Sequence, residues 1–378
     1  MSAARSWPLS VRRARSADQA AVMSFATETW NGWDYMPHAW PRWLEESDGV
    51  MLVGAVGEAS GGEASGGEAS GGEAAHDVDG RALEPGTVVA IVRVAMPATG
   101  EAWLEAIRVD PRVRGMDVAT DLQVAELLWA AAKGATIVRY ATSARNEGSH
   151  RLGARGGFEM LTSLSGTWWN PPGDGGSDHD SASGFLPEVQ ADARRRRRAL
   201  LAALASESQI ASVDRTQMLW SMLSSDPSFN AAARLYEPRP WALEELTEAK
   251  FAEHVRRGEV IVRDQGELAV AILVADVPPA EDSAIRLAIV GGAPRAAFEL
   301  VEDARRLAGE SIRFRYADGA PLVADVEQLY RAAGYEFPEW ELHILSRPID
   351  AEHPVLAVDP TALVLDEPPE AIVVVAYG

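Results

Sequence analysis

Ala102-Trp103-Leu104-Glu105-Ala106-Ile107-Arg108-Val109-Asp110-Pro111-Arg112-Val113-Arg114-Gly115-Met116-Asp117-Val118-Ala119-Thr120 is the stretch whose reading decides how this chain folds. Trp103, Leu104, Ile107 and Val109 mark an apolar strand over Ala102 to Val109, and Asp110-Pro111 ends it. From Ala119 to Lys133, Leu122, Ala125, Leu127, Leu128 and Ala131 fall at helical spacing. A strand therefore runs through a glycine-containing loop into a long helix. The first turn of a helix leaves backbone N–H groups without partners and carries partial positive charge, so this loop suits an anion such as phosphate.

Working outward, Ala135 to Ala141 reads as another strand, and Asn146-Glu147-Gly148 opens a short helix that stops at Gly156-Gly157-Phe158. On these residues the run resembles the GCN5-related N-acetyltransferase family, in which an R-x-x-G-x-G/A loop cradles the pyrophosphate of acetyl-CoA and a later helix ends in a G-F pair. Arg114 and Ala119 match that loop pattern, whereas Asp117 stands where the family has glycine. A carboxylate there repels phosphate and is able to cap the helix, competing for the amides a ligand needs. Gly153 stands where many members carry the tyrosine that protonates the departing thiolate. His150, one helical turn earlier, is read either as a substitute acid or as an exposed helix histidine.

The resemblance implies acetyl-CoA as cofactor, held by the backbone of Ile107, Arg108 and Val109 along the pantetheine arm. The same resemblance assigns Arg114, Gly115, Met116, Asp117, Val118, Ala119, Thr120 and Asn146 to cofactor binding. Glu105 falls on the strand where members keep a catalytic glutamate; a sheet-edge glutamate is the other reading. Trp33, Asp34 and Tyr35, within Trp30 to Trp40, fall where the fold builds a wall of the acceptor pocket. Packing in the core is the rival account of those aromatics. The spacing of Asp34-Tyr35 and Trp43-Leu44, with Trp103 to Pro111, is also loosely similar to histidine N-acetyltransferases, which leaves the acceptor open among amino acids and other small amines.

With 378 residues, 47% of them hydrophobic, the chain is long enough for two domains with filled cores. It has no cysteine, which removes disulfides, thiolate nucleophiles and cysteine-ligated zinc. Its seven histidines are scattered, so no metal site is expected. Lys133 and Lys250 end no Walker-type loop, and no G-x-S-x-G elbow occurs. The net charge of −21 argues against nucleic acid as a partner. With no apolar run long enough for a bilayer or a signal peptide, the chain is expected to be cytoplasmic and not membrane-bound. The oligomeric state is left open.

The expected organisation is α/β (α+β): two tandem acetyltransferase-like domains, each a mixed, mostly antiparallel sheet flanked by helices, the second degenerate. The first spans 8–170, with a flexible insert at 57–86 that contains a Glu-Ala-Ser-Gly-Gly repeat. A Gly/Asp/Ser-rich linker covers 171–187, and a basic linker helix follows over 188–208. Its run Arg194 to Arg198 is read either as a solvated face or as a contact for RNA or an acidic partner. The second domain spans 209–348 and a tail 349–378. In it, Phe229 to Leu235 and Leu243 to Val255 read as helical segments, and 259–263, 269–275, 284–290 and 311–316 as strands. Arg295 to Ala308 reads as a helix, and Leu329 to Tyr335 resembles the family's closing tyrosine-to-GF motif, with Tyr330 at the place of Gly153. The function expected is transfer of acetyl from acetyl-CoA to a primary amine of a small molecule, by direct attack in a ternary complex. The alternative is a catalytically impaired protein of the same fold that binds a small ligand or regulates.

Overall fold

The computed structural model describes residues 7–27, 34–57, 75–165, 167–169, 208–239, 242–276, 284–310, 316–319, 324–337, 341–350 and 352. Trp33, most of the repeat, the linker, the basic helix and nearly all of the tail lie outside them. By contacts the chain divides into two units, one of residues 1–140, 148–159 and 346–378, the other of 141–147 and 160–345.

In the first unit, β1 (Leu9–Arg13) leads to α1 (Gln19–Ala26) and α2 (Met36–Glu45), then to β2 (Gly49–Val56), β3 (Val88–Ala98) and β4 (Glu101–Val109). Next come α3 (Val118–Ala132), β5 (Ile137–Ser143), α4 (Glu147–Arg155) and β6 (Glu159–Leu164). The strands β1 to β4 pair antiparallel in chain order, and β5 joins β4 parallel through α3. Every residue of β2 is buried, which is why it reads as one apolar run without alternation. Val22, Phe25, Trp40 and Trp43 of α1 and α2 pack on Met51, Val53 and Ile91. The second helix starts at Met36, whose amide donates to the Asp34 carboxylate at 2.9 Å. It carries Pro41 inside, where the buried Trp40 and Trp43 offset the lost backbone bond.

The second unit repeats this order. β8 (Ser208–Ile210) is followed by α5 (Thr216–Ser224), α6 (Pro227–Ala231), a hairpin of β9 (Leu235–Arg239) and β10 (Ala242–Glu245), and α7 (Glu248–Arg256). β11 (Val260–Asp264), β12 (Leu268–Asp276) and β13 (Ala284–Gly292) run antiparallel, and α8 (Pro294–Glu310) leads to β14 (Tyr316–Gly319), parallel to β13. α9 (Ala324–Ala332) and β15 (Leu342–Pro348) complete the chain. Two expectations are corrected here. Leu235 and residues 243–245, expected in helical segments, lie in the paired strands β9 and β10, where Tyr236 and Glu244 are cross-strand partners joined by their side chains at 2.6 Å. Helix α5 was not anticipated, although Leu219, Trp220 and Leu223 bury one face at helical spacing.

The order of the first sheet is β1-β2-β3-β4-β5-β15-β6, and that of the second is β7-β14-β13-β12-β11-β8, where β7 is Thr167–Trp169. Strands distant along the chain thus share a sheet: β15, the last strand among the described residues, is in the first, and β7 is in the second.

Candidate active site

The feature that organises the first unit is the way β4 parts from β5. Only Glu101, Ala102 and Trp103 pair with Ile137, Val138 and Arg139; from Leu104 to Val109 the edge of β4 that faces β5 has no strand partner among the described residues. The parting begins at a bulge, where the register with β3 jumps between Ile91↔Arg108 and Arg93↔Glu105 and Ala106 takes a left-handed φ of 63°. A row of unpaired strand amides and carbonyls is thereby offered along the segment expected to meet a pantetheine arm, Ile107 to Val109.

At the far end of β4, the loop 110–117 delivers the chain to α3. Gly115 has φ +79°, with nothing within 4 Å of where a Cβ would stand. Asp117 is also left-handed, φ 58° and ψ 11°, the conformation for which glycine is the usual residue. Its carboxylate does not cap α3. It pairs instead with Arg155 at the end of α4, Nη1 to Oδ1 2.9 Å, so its charge is answered and the first-turn amides of α3 are left uncapped by a side chain. Thr120, in that first turn, has a buried Oγ1 without a hydrogen-bond partner. Arg114 is exposed and its Nε donates to the Val109 carbonyl at 3.2 Å. Met116 and Val118 are buried, and Ala119 is half-buried. An orphaned hydroxyl, uncapped amides and open space over Gly115 are what a diphosphate needs, so these residues fit acetyl-CoA.

On β4, Glu105 accepts a hydrogen bond from Arg93 of β3, which also donates to Glu46 and lies 4.9 Å from the Trp43 ring. Arg93 is buried, whereas the Glu105 side chain keeps 18% exposure, so Glu105 is paired with a cation yet within reach of solvent or a ligand. Arg108 donates from Nε to Asp34 Oδ2 at 2.8 Å and stands 5.4 Å from the Tyr35 ring. The Asp34 side chain is fully buried and its charge is balanced by Arg108. Burial first of all pushes the Tyr35 phenol up to about 12. Asp34, Tyr35 and Arg108 thus form one cluster that pins the start of α2 to β4. His150 lies half-buried on α4, and Asn146 precedes that helix, its amide donating to the Ser143 carbonyl at 2.9 Å.

Three residues not anticipated from sequence enter the site. Arg93 is a lone charge inside the apolar run 88–95, and Arg155 ends its helix beside the glycine pair. Glu126 lies on the buried face of α3 with 3% exposure. Charges stranded in apolar stripes were the available signal. Burial, and then the Glu105 charge, holds the Glu126 carboxyl well above the usual carboxylate range.

The second unit copies the parting but not the loop. β13 pairs with β14 only over Ala284–Leu287, after which a register shift between Ile272 and Leu273 marks a bulge. Only Ala293 separates β13 from α8, and the Gly292 amide is already taken by Asp226 Oδ2 at 2.8 Å. A Cβ at Gly292 would lie 2.5 Å from the Leu268 carbonyl oxygen.

No family model matches the chain, and no curated protein does. Solved structures do align with it, and they are GCN5-related N-acetyltransferases. One from Kribbella flavida shares 13% identity over 91% of this chain and 72% of its own, with a TM-score of 0.42. Another from Sphaerobacter thermophilus shares 13% over 90% of this chain and 95% of its own, TM-score 0.46. A tandem GNAT protein from the clavulanic acid biosynthesis pathway shares 11% over 93% and 100%, TM-score 0.44. At such TM-scores these likenesses carry no weight here, and the tandem architecture rests on the repeated strand order of the two sheets.

Proposed function

We propose that the first unit is an N-acetyltransferase that moves the acetyl group of acetyl-CoA to a primary amine of a small molecule, in a cytoplasmic setting. The observation that carries this reading is the unpaired edge of β4 from Leu104 to Val109, ending in a loop whose first-turn amides are uncapped. Acetyl-CoA supplies the activated thioester. The chain's own residues hold and position it: the β4 edge along the pantetheine arm, and Arg114, Gly115, Thr120 and the start of α3 at the diphosphate. Glu105, paired with Arg93, takes the proton of the attacking amine, directly or through one water. Because the Asp34 charge is already balanced by Arg108, that cluster shapes the pocket wall and does not hold an ammonium group, which agrees with the need for a neutral amine as nucleophile. With no cysteine to carry an acyl group, attack within a ternary complex is the simplest course. The plugged Gly292 amide supports one acetyl-CoA per chain.

Titration calorimetry of the full chain with acetyl-CoA tests the reading. One molecule bound per chain is expected, with Arg114→Ala and Thr120→Val each weakening binding by about 1 to 3 kcal/mol, the worth of a hydrogen bond to a charged group. Binding that neither variant changes removes the loop from the site. A native chain that binds nothing, beside an Asp117→Gly variant that does, favours the regulatory or ligand-binding alternative.

A further inference from the structure

We propose that Glu126 is the acid that protonates the departing thiolate, opposite Glu105 as base; this rests on the acetyl-transfer reading above. The position comes from the fold. Trp103 and Arg139 are the last paired residues before β4 and β5 part, so Glu105 on β4 and Tyr140 on β5 flank the apex of the parting. From the loop, α3 runs back against β3 and β4. Glu126 lies about 12 Å along it from Val118, at 1.5 Å per residue. Glu105 lies about 13 Å back along β4 from Val109, at 3.3 Å per residue. These rises bring both carboxyl groups to a similar depth from the loop, α3 packs against β4, and the Glu105 charge acts on Glu126.

Their surroundings then assign the roles. Glu105 accepts from the buried guanidinium of Arg93. Among the described residues no hydrogen bond reaches the Glu126 carboxyl, and the groups that act on it are the Glu105 charge and, in return, the Tyr140 phenol. Burial first, and then that like charge, push the Glu126 carboxyl well above the usual carboxylate range, toward its protonated form. A pair of carboxyl groups driven apart in this way is an acid and a base side by side. Tyr140 is a poor rival as donor, since its hydroxyl is committed to the Ser149 carbonyl at 3.1 Å and burial pushes it up to about 12. Gly153 leaves the tyrosine position of α4 without any donor side chain.

The step balances. The amine nitrogen bonds to the acyl carbon, the C–S bond breaks, and its electron pair stays on sulfur. Sulfur takes the Glu126 proton, giving the free thiol, while the surplus proton on nitrogen passes to Glu105. The pair carries one negative charge before and after. Once products leave, the proton returns from Glu105 to Glu126 through solvent.

The test uses the full chain, with acetyl-CoA, coenzyme A and hydroxylamine as a small surrogate acceptor. Calorimetry first establishes acetyl-CoA binding; its absence overturns the transferase reading whatever Glu126 does. Infrared spectra of the wild-type chain are then expected to show a protonated carboxyl band at neutral pH that shifts when coenzyme A saturates the site and is missing from Glu126→Gln. No such band, or a band unmoved by bound coenzyme A, overturns the assignment without reliance on a variant that fails to fold. Thiol release, read by a chromogenic thiol reagent in a chain that has no cysteine of its own, supplies the kinetic arm. Glu126→Gln is expected to bind acetyl-CoA as the wild type does, to lose about 100-fold or more in rate, and to lose the fall in rate at alkaline pH. An unchanged rate and profile, or loss of the alkaline fall in His150→Ala instead, overturns it.

Discussion

At the scale of single residues, three ionisable groups of the first unit have different consequences. The Arg93 guanidinium is answered by both Glu46 and Glu105, so Arg93→Met leaves two mostly buried carboxylates facing each other without a cation. A loss of about 3 kcal/mol is expected, visible as a lowered denaturation midpoint, because removing one partner of a buried ion pair costs more than the pair contributes. Glu126 acts in the opposite direction. Its folded-state carboxyl titrates well above the ordinary value of 4.5, so below that value the folded and unfolded chains both hold the proton. As pH rises toward the folded-state value, only the unfolded chain ionises, and stability is lost. Glu126→Gln is therefore expected to flatten the decline of stability above about pH 4.5, measured by denaturant melts across pH. Asp117, half-exposed beside Arg155, contributes to the shape of its loop and not measurably to stability.

At the scale of elements, the bulge in β4 sets the geometry of the site. Ala106 holds a left-handed φ of 63° within a strand, a conformation that costs a residue with a Cβ about 1 kcal/mol. Ala106→Gly is expected to keep stability within about 1 kcal/mol of wild type, the relief of strain offsetting the entropy glycine adds to the unfolded chain. Ala106→Val, which adds a branched carbon at a buried left-handed position, is expected to destabilise by more than 2 kcal/mol, or about that, on the same denaturant melts. Strand β4 and helix α3 were legible in sequence because one has a continuous apolar run and the other a 3.6-residue period. The bulge was not, since Glu105-Ala106-Ile107 has no glycine to announce a positive φ.

At the scale of the whole molecule, the trading of strands makes the sheets depend on distant parts of the chain. β15 lies between β5 and β6, and the Ile349 amide donates to the Thr136 carbonyl at 2.8 Å. Removing residues 342–378 is therefore expected to leave β5 with an unpaired edge and to prevent the first unit from reaching its native state. Loss of cooperative melting and of near-ultraviolet circular dichroism, or aggregation on gel filtration, would register it; a truncated chain that melts like the full one would show that β15 is dispensable. The place of β15 was not legible in sequence, because Leu-His-Ile-Leu-Ser-Arg-Pro names no partner strand.

By itself the sequence determined what depends on neighbours along the chain: the strand-loop-helix passage from Ala102 to Lys133, the repetition of that passage around Val290, and the exclusion of thiol chemistry. Local periodicity and turn residues are enough for such features. Only the tertiary structure decided which charges meet. Asp117 turns to Arg155 and not to its own helix, Asp34 is spent on Arg108, and the Glu105 charge reaches the buried Glu126 of α3. Pairings of this kind join residues far apart in sequence, and their energies depend on burial and distance, which no local pattern encodes.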